Sequence, residues 1–233
     1  MSGVDTVVIL QARMASTRLP GKALAPIDGR SLLRRCLDRL ILSGVGPVLL
    51  ATTTNHEDEA LAAEAIAAGA LVFRGSSDNV LQRFVLAARS VGARVVIRAT
   101  ADNPAVDVDA PARVLAALEA AEADHAVDVG LPVGCAVEAA AVDALERALT
   151  LTADPFDLEH VTPMLRRDRG HFRAVETPAP PPVRRPDLRL TVDTAADLRF
   201  VRAVLARRDG SNELPLAEII AAADEVGAGA AAS

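Results

Sequence analysis

The chain has 233 residues, which is long enough to bury a core and short enough for a single domain. Half of the residues are hydrophobic, but Trp and Tyr are absent and there are only five Phe, which excludes base recognition by a Trp or Tyr stacking platform. The formal net charge of −6 argues against general nucleic-acid binding, which needs a basic surface. A nucleotide needs only a local cationic pocket, and cations are concentrated between Arg13 and Arg39.

Cysteine usage and the N-terminal sequence set the expected compartment. Cys36 and Cys135 lie far apart without CxxC spacing, so a disulfide framework is not predicted. The N-terminal segment lacks the basic region of a secretory signal, and the apolar run at residues 7–10 is too short to span a membrane. We therefore expect a soluble cytoplasmic protein that binds neither nucleic acid nor membrane.

Short apolar segments alternate with helical patterns through the first half of the chain. Strands are predicted at residues 7–10, 48–51, 71–73 and 94–99. Helices are predicted from a cap at Ser31 to Gly44 and at residues 57–68, 78–91 and 109–123. This alternation predicts an α/β fold with a mostly parallel sheet and helices on both faces. Ligands of such sheets bind at the carboxyl ends of the strands, so the loops after Leu10, Ala51 and Ala99 are the first candidates for a site.

The second half of the chain has a mixed pattern. Strands are predicted at residues 126–129 and 133–137, and helices at residues 142–149 and 155–167. A proline-rich extended connector at residues 178–186 precedes a strand at 188–192 and a helix at 195–206. The predicted organisation is one domain, residues 1–226, followed by a flexible Ala/Gly tail, residues 227–233.

The loop after the first strand concentrates groups that bind phosphate. Residues 11–22 carry three cations and two hydroxyls beside a Gly-Pro-rich backbone, a combination that suits a triphosphate. The loop is not a Walker A motif, because Ser16 and Ala23 stand where a glycine and a Ser or Thr are needed. On composition alone, a solvated basic turn is an equal alternative.

The wider pattern resembles a known enzyme family. Gln-Ala-Arg-Met-x-Ser-Thr-Arg-Leu-Pro-Gly-Lys, residues 11–22, is similar to the nucleotide-binding signature of the cytidylyltransferases that activate sugar acids, and most of all to the SpsF-like branch of spore-coat polysaccharide biosynthesis. Five further segments follow in the family's order, at residues 51–55, 73–84, 98–104, 159–163 and 190–194. The resemblance implies a Rossmann-like nucleotidyltransferase fold.

The resemblance also implies roles for individual residues, with CTP as co-substrate and Mg²⁺ as cofactor. The residues implied to bind the phosphates, base and ribose of CTP are Gln11, Ala12, Arg13, Ser16, Arg18, Lys22, Thr52, Ser76 and Arg83. Catalytic roles are implied for Lys22, Arg13 and Asp102, and metal binding for Asp102 and Asp193. The residues expected to face the acceptor are Arg98, Glu138, Glu159 and His160.

The reaction implied by the resemblance is transfer of CMP from CTP to an acidic sugar with release of pyrophosphate. The protein's task in such a reaction is to align the reacting oxygens and neutralise growing charge. CTP is expected rather than GTP because the Gly-Gly-rich opening loop of guanylyltransferases of similar fold is absent. Related synthetases are commonly dimers, so a homodimer is a further expectation from the resemblance.

Several of these residues have structural alternatives. Asp102 fits a turn cap before Pro104, and Asp193 fits the N-cap of the following helix, a role that Thr194 could share. His160 is either a general base or an ordinary residue of an amphipathic helix. Asp107-Val108-Asp109 matches the Asp-x-Asp string of glycosyltransferases that use finished nucleotide sugars, but capping is the expected role.

The sequence departs from the family pattern in the segment expected to face the acceptor. Two positions that are more often acidic in the family are Val133 and Ala136, within residues 131–138, and Ala101 replaces a glycine. A less acidic pocket leaves phosphonate or polyol phosphate acceptors open beside sugar acids. A non-catalytic nucleotide-binding protein is the alternative from another class, although a pure binder has no need of both Asp102 and Asp193.

Overall fold

The structure is a computed structural model and describes residues 5–208, 211 and 213–231. Its strands are β1 Thr6–Gln11, β2 Pro26–Ile27, β3 Arg30–Ser31, β4 Val48–Thr53, β5 Leu71–Gly75, β6 Val95–Thr100, β7 His125–Val129, β8 Glu138–Ala141 and β9 Ala174–Pro178. Its α-helices are α1 Leu32–Leu42, α2 Glu59–Ala67, α3 Val80–Val91, α4 Ala110–Ala120, α5 Val142–Leu151, α6 Pro155–His160, α7 Pro163–Arg167, α8 Ala195–Ala206 and α9 Leu216–Ala231.

Seven strands form one sheet in the order β5-β4-β1-β6-β8-β7-β9, and β2 and β3 form a separate hairpin. Within the large sheet β8 runs antiparallel to both neighbours, while the other pairs are parallel. The predicted mostly parallel sheet is therefore confirmed. Gln11 at the end of β1 lies opposite Ala51 of β4 and Thr100 of β6, so the loops after these three strands meet at one edge.

The core is divided between the two faces of the sheet, as the period-2 alternation of a strand requires. Val8 and Leu10 of β1 belong to a cluster that includes α1, α4, α8 and α9, whereas Val7 and Ile9 belong to a cluster with α3 and α5. Fully burying each such aliphatic side chain contributes about 1.5–3 kcal/mol. Helices cover both faces, as predicted.

Local signals locate several elements correctly. The Ser31 hydroxyl accepts a hydrogen bond from the Arg34 amide and caps α1, and Gly44 adopts the left-handed conformation just beyond the end of that helix. Cys36 and Cys135 are both buried free thiols. None of the helices in residues 5–208, 211 and 213–231 has the length and apolar character that crossing a bilayer requires.

Two predicted strands are absent because their residues pair with each other only at one bridge. Residues 133–137 and 188–192 meet at the Val133–Arg189 bridge, and no strand extends from it. Gly134 has a φ of +94°, and a Cβ there would lie 2.6 Å from the Thr191 amide nitrogen. This close approach bends the segment, and the strand begins only at Glu138.

Further differences concern helix continuity and the C-terminal part. The predicted helix at 155–167 is split into α6 and α7 by Val161, whose φ is +74°, and by Pro163. Strand β9 and helix α9 were not predicted. The segment expected to be a flexible tail, 227–233, continues α9 as far as Ala231, since alanine is the strongest helix former. Residues 232–233 lie outside the described residues.

Candidate active site

A cavity of about 320 Å³ opens where the carboxyl ends of β1 and β6 meet. All the predicted site residues line it except Thr52, Ser76 and Glu138. Five cationic side chains and three carboxylates face the cavity, namely Arg13, Arg18, Lys22, Arg83, Arg98, Asp102, Glu159 and Asp193. The cavity is thus locally positive in a protein of net charge −6, which favours an anionic ligand.

The cationic segment between Arg13 and Arg39 divides in the structure. Its first three cations line the cavity, but the four on β3 and α1 do not. Arg30 and Arg34 bind the Asp38 carboxylate, Arg35 donates to the Ile27 carbonyl, and Arg39 donates to the Val106 carbonyl. Only the opening loop therefore supplies positive charge to the site from this segment.

The opening loop is held in place by a buried carboxylate that the sequence analysis missed. Asp58, in a turn of 3₁₀-helix after β4, is fully buried, and its Oδ1 accepts a 2.7 Å hydrogen bond from the Met14 amide. Its other oxygen accepts from the Thr53 hydroxyl. At the far end of the loop, Gly21 has a φ of +71°, which glycine adopts without strain. The sequence pattern that could have indicated this role is an acidic residue a few positions after a buried strand.

Lys22 lies between the two predicted metal ligands. Its Nζ is 3.3 Å from Asp102 Oδ2 and 3.2 Å from Asp193 Oδ1, and it donates a 2.7 Å hydrogen bond to the Val192 carbonyl. The Lys22 side chain is 16% exposed, so these charges interact in partly desolvated surroundings. Two carboxylates far apart in sequence therefore meet around one cationic centre.

Asp102 faces the cavity rather than capping a turn. Its Oδ1 accepts a 2.6 Å hydrogen bond from the Thr100 hydroxyl, which in turn accepts from the Asn103 side-chain amide. The Asp102 carbonyl accepts from the Val192 amide at 2.8 Å, and this bond ties the Asp193 segment to the end of β6. The backbone thus fixes the separation between the two acidic residues.

Asp193 is not the N-cap of α8. Thr194 occupies that position and forms a capping box with Asp197. The Asp193 carboxylate instead binds three cations, Lys22, Arg18 at 2.8 Å and Arg189 at 2.7 Å. Burial acts to raise the pKa of Asp193, but the hydrogen bonds from Arg189 and Lys22 outweigh it and hold the pKa below its usual value. The residue is therefore ionised at neutral pH.

Two arginines on the cavity wall have unsatisfied donors. Arg83 is almost completely buried and donates from Nη1 to the Ser76 carbonyl, while its Nε has no hydrogen-bond partner among the described residues. Burial lowers the pKa of Arg83, and the nearby charge of Arg13 lowers it further. Arg98 also has an Nε that finds no partner within the described residues. Both arginines line the cavity, and a guanidinium group suits an anionic ligand.

Three predicted site residues lie outside the cavity lining. Thr52 is completely buried within β4. The Ser76 hydroxyl accepts hydrogen bonds from the amides of Asp78 and Asn79, so it shapes the turn before α3. Glu138 is buried behind Arg98, to which it binds at 3.1 Å. None of the three lines this cavity.

Helix α6 brings two predicted acceptor residues to the cavity. Glu159 forms a 3.2 Å ion pair with Arg13 of the opening loop. His160 lines the cavity, and its ring stacks at a tilt on Phe156 with the centroids 4.4 Å apart. Both predicted acceptor residues therefore lie on the wall of the cavity.

Two other segments singled out in the sequence, the Asp-x-Asp string and residues 131–137, lie away from the cavity. Asp107 is buried and binds Arg113 together with Asp128, so the Asp-x-Asp string takes part in a structural ion-pair network. Residues 131–137, expected to face the acceptor, do not line the cavity. Val133 hydrogen-bonds through its backbone to Leu188 and Leu190, and the segment packs behind the one that carries Asp193.

The donor set fits a hard divalent cation. Asp102 and Asp193 supply carboxylate oxygens around one point of the cavity, where the Lys22 ammonium already finds favourable contacts for a positive charge. Among the residues that the structure describes, no group of three or more His, Cys, Asp or Glu could hold a metal. Two carboxylates suffice for Mg²⁺, which keeps several waters and takes phosphate oxygens as further ligands.

Comparison with known proteins identifies the family of the chain. The model of the cytidylyltransferase family matches residues 7–213. SpsF, a spore coat polysaccharide biosynthesis protein of Bacillus subtilis (strain 168), is 33% identical over 93% of this chain and 92% of its own length. A 3-deoxy-manno-octulosonate cytidylyltransferase of Chelativorans sp. (strain BNC1) is 35% identical over 53% of this chain and half of its own.

Structural similarity extends over almost the whole chain. A cytidylyltransferase from Leptospira borgpetersenii serovar Hardjo-bovis superimposes with a TM-score of 0.90 at 25% identity, covering 96% of this chain and 95% of its own. The family signature in the opening loop and the paired carboxylates occupy one cavity in this fold. The chain therefore belongs to the cytidylyltransferase family and is a CTP-dependent nucleotidyltransferase.

Proposed function

We propose that the protein transfers CMP from CTP to an acidic sugar and releases pyrophosphate. The observation that carries the proposal is the meeting of Lys22, Asp102 and Asp193 at one end of a locally positive cavity. Cations on the opening loop suit a triphosphate, and paired carboxylates suit the divalent cation that accompanies it. A protein that only binds nucleotides has no need of both carboxylates.

The opening loop is proposed to hold the triphosphate. Arg13, Arg18 and Lys22 bring positive charge, and the Ser16 hydroxyl brings a further donor. Arg13 and Arg18 are each paired with a carboxylate, Glu159 and Asp193, across the cavity. Arg13 and Glu159 are 41% and 53% exposed, and Arg18 is 66% exposed, so solvent weakens both pairs and phosphate oxygens can replace the carboxylates at little cost. The buried anchor at Asp58 keeps the loop in position during this exchange.

Chemistry at the α-phosphorus follows from this arrangement. An acceptor hydroxyl oxygen attacks the α-phosphorus and loses its proton to water. The bond from that phosphorus to the bridging oxygen breaks, and the electron pair leaves with pyrophosphate. Asp102 and Asp193 would hold Mg²⁺, which when bound neutralises charge on the phosphate oxygens. Lys22 and Arg18 stabilise the charge that develops on the leaving group, and preorganised charges of this kind supply most of the rate enhancement in such a reaction.

The acceptor is proposed to bind at Arg98, Glu159 and His160, which we call the acceptor wall. Arg98 lines the cavity with a guanidinium group that suits a carboxylate, and the similarity to a 3-deoxy-manno-octulosonate cytidylyltransferase favours a sugar acid. A phosphonate or polyol phosphate is the second candidate, because a guanidinium also binds phosphate oxygens. The neutral residues Val133 and Ala136 give no support to either, since they lie outside the cavity.

Phosphorus NMR of the product separates the two acceptor classes. The protein is incubated with CTP, Mg²⁺ and either 3-deoxy-manno-octulosonate or a polyol phosphate. The proposal predicts a product with one phosphodiester signal from the sugar acid, together with free pyrophosphate. Two mutually coupled phosphorus signals from the polyol phosphate, with no product from the sugar acid, would overturn the acceptor assignment.

A further inference from the structure

We propose that Glu138 and Thr162 are positioning residues that fix the acceptor wall from behind the cavity. The inference rests on the proposed function for the identity of that wall, and it concerns two residues that do not line the cavity. Glu138 begins β8 and Thr162 lies between α6 and α7, and both are buried. Their contacts connect the two parts of the acceptor wall, which come from separate regions of the chain.

One carboxylate oxygen of Glu138 joins the two parts. Its Oε2 accepts a 3.1 Å hydrogen bond from Arg98 Nη1 and a 2.6 Å hydrogen bond from the Thr162 hydroxyl. The other oxygen, Oε1, is 3.6 Å from both His125 Nε2 and Arg166 Nη1. A buried carboxylate bound in this way has little freedom, because moving it would leave charges uncompensated. Glu138 thus fixes Arg98 directly.

The second part of the wall is reached through a strained turn. Val161 has φ and ψ of +74° and −55°, and the Thr162 amide donates a 2.9 Å hydrogen bond to the His160 carbonyl, which together define a classic γ-turn. A β-branched residue at positive φ is a rare outlier that costs free energy. Such a conformation persists only where the surrounding contacts hold it, and backbone strain of this kind clusters at functional sites.

Contacts on both sides of the turn hold it. The Val161 side chain is buried in the core cluster with α3 and α5, and the Thr162 hydroxyl is fixed by Glu138. The residues immediately before the turn are Glu159 and His160, which line the cavity. A relaxed turn would redirect the end of α6 and both of these side chains. The Glu138–Thr162 hydrogen bond therefore sets the shape of the acceptor wall.

Two conservative substitutions at Thr162 test this inference. Thr162→Val removes the hydroxyl and keeps the shape, whereas Thr162→Ser keeps the hydroxyl. With 3-deoxy-manno-octulosonate as probe acceptor, Thr162→Val should lower kcat/KM for the acceptor ~10- to 100-fold, the scale expected for an ångström-level displacement of positioning groups. The Kd for CTP should not change, because the opening loop is anchored separately by Asp58. Thr162→Ser should recover most of the lost activity.

A matched control removes an equivalent hydrogen bond elsewhere. Thr177 of β9 donates a 2.6 Å hydrogen bond to the buried Asp128 carboxylate, away from the cavity lining. Thr177→Val should lower the thermal midpoint as Thr162→Val does, with kcat/KM unchanged. Equal kinetic losses in the two variants would reduce Thr162 to an ordinary contributor to stability and overturn the inference.

A measurement without acceptor keeps this test separate from the proposed function. The imidazole resonances of the ligand-free protein can be followed by NMR, with the His160 signal assigned from His160→Gln. Thr162→Val should shift or broaden that signal, while Thr162→Ser and Thr177→Val should leave it in place. An unmoved His160 signal in Thr162→Val refutes the positioning role. Absence of CMP transfer by the wild-type protein, with the His160 signal displaced as expected, would refute only the proposed acceptor.

Discussion

Replacing Asp193 by Asn is expected to remove most of the activity at a moderate cost in stability. The carboxylate binds Lys22, whose side chain is 16% exposed, and Arg18 and Arg189, which are 66% and 44% exposed. Losing the charge-assisted hydrogen bond to the least exposed partner costs about 1.5–3 kcal/mol. The two exposed pairs each contribute about 0–1 kcal/mol. Asparagine keeps one oxygen acceptor, so the free energy of unfolding should fall by about 1–3 kcal/mol.

Turnover should fall much further than stability in this variant. Loss of one preorganised electrostatic group costs ~10²- to 10³-fold in rate. The matched control is Thr194→Ala, which removes the N-cap of α8 and should cost about 0.5–2 kcal/mol of stability with turnover near wild type. Urea unfolding and pyrophosphate release at saturating Mg²⁺ measure the two quantities. Wild-type turnover in Asp193→Asn, or an equal loss of turnover in Thr194→Ala, would refute the assignment of Asp193 to the chemistry.

Lys22→Ala should weaken CTP binding by ~10- to 100-fold in calorimetry, because a charge-assisted hydrogen bond contributes about 1.5–3 kcal/mol. Unchanged affinity would mean that the phosphates of CTP do not bind at Lys22. Asp58→Ala should weaken CTP binding and also lower the thermal midpoint, because the Met14 amide loses its buried acceptor. A lower midpoint with full CTP affinity would mean that CTP binding by the loop does not depend on this anchor. Stability should decrease on acidification below about pH 4, since Glu138 has a folded-state pKa below its value of about 4.3 in the unfolded chain. Burial acts to raise that pKa, but the facing His125 and Arg98 outweigh it, so the stabilisation is present above the unfolded pKa and is lost as the pH falls. In urea unfolding, the free energy of unfolding of Glu138→Gln should fall less steeply with decreasing pH than that of the wild-type protein. Identical pH profiles would contradict this role of Glu138 in acid stability.

Local sequence patterns were sufficient to predict the elements that position the opening loop. The β-branched run of β1, the Ser31 cap and the periodicity of α8 depend on short-range interactions, and each is found where the pattern predicts it. The carboxyl-end rule for parallel sheets then located the loops after β1 and β6 at one edge. Asp102 and Asp193 were predicted as metal ligands from the family resemblance alone, and in the structure both carboxylates contact the Lys22 ammonium group.

Features that depend on long-range packing were not predictable from local patterns. The sequence pattern predicts a strand at residues 133–137, but the close approach of Gly134 to Thr191 bends the backbone there. The roles of Asp58 and Glu138 arise from hydrogen bonds to residues distant in the chain, which no short motif records. The split at Val161 was missed because a buried β-branched residue gives no sequence signal for a left-handed conformation.

Nucleotide-dependent pyrophosphate release tests the central claim most directly. The wild-type protein and Asp102→Asn are each incubated with CTP, GTP or ATP, together with Mg²⁺ and 3-deoxy-manno-octulosonate, and pyrophosphate is measured with and without the acceptor. A cavity that transfers CMP through Lys22, Asp102 and Asp193 predicts release from CTP that depends on the acceptor and is lost in Asp102→Asn. Equal release from GTP, or an undiminished rate in Asp102→Asn, would contradict it.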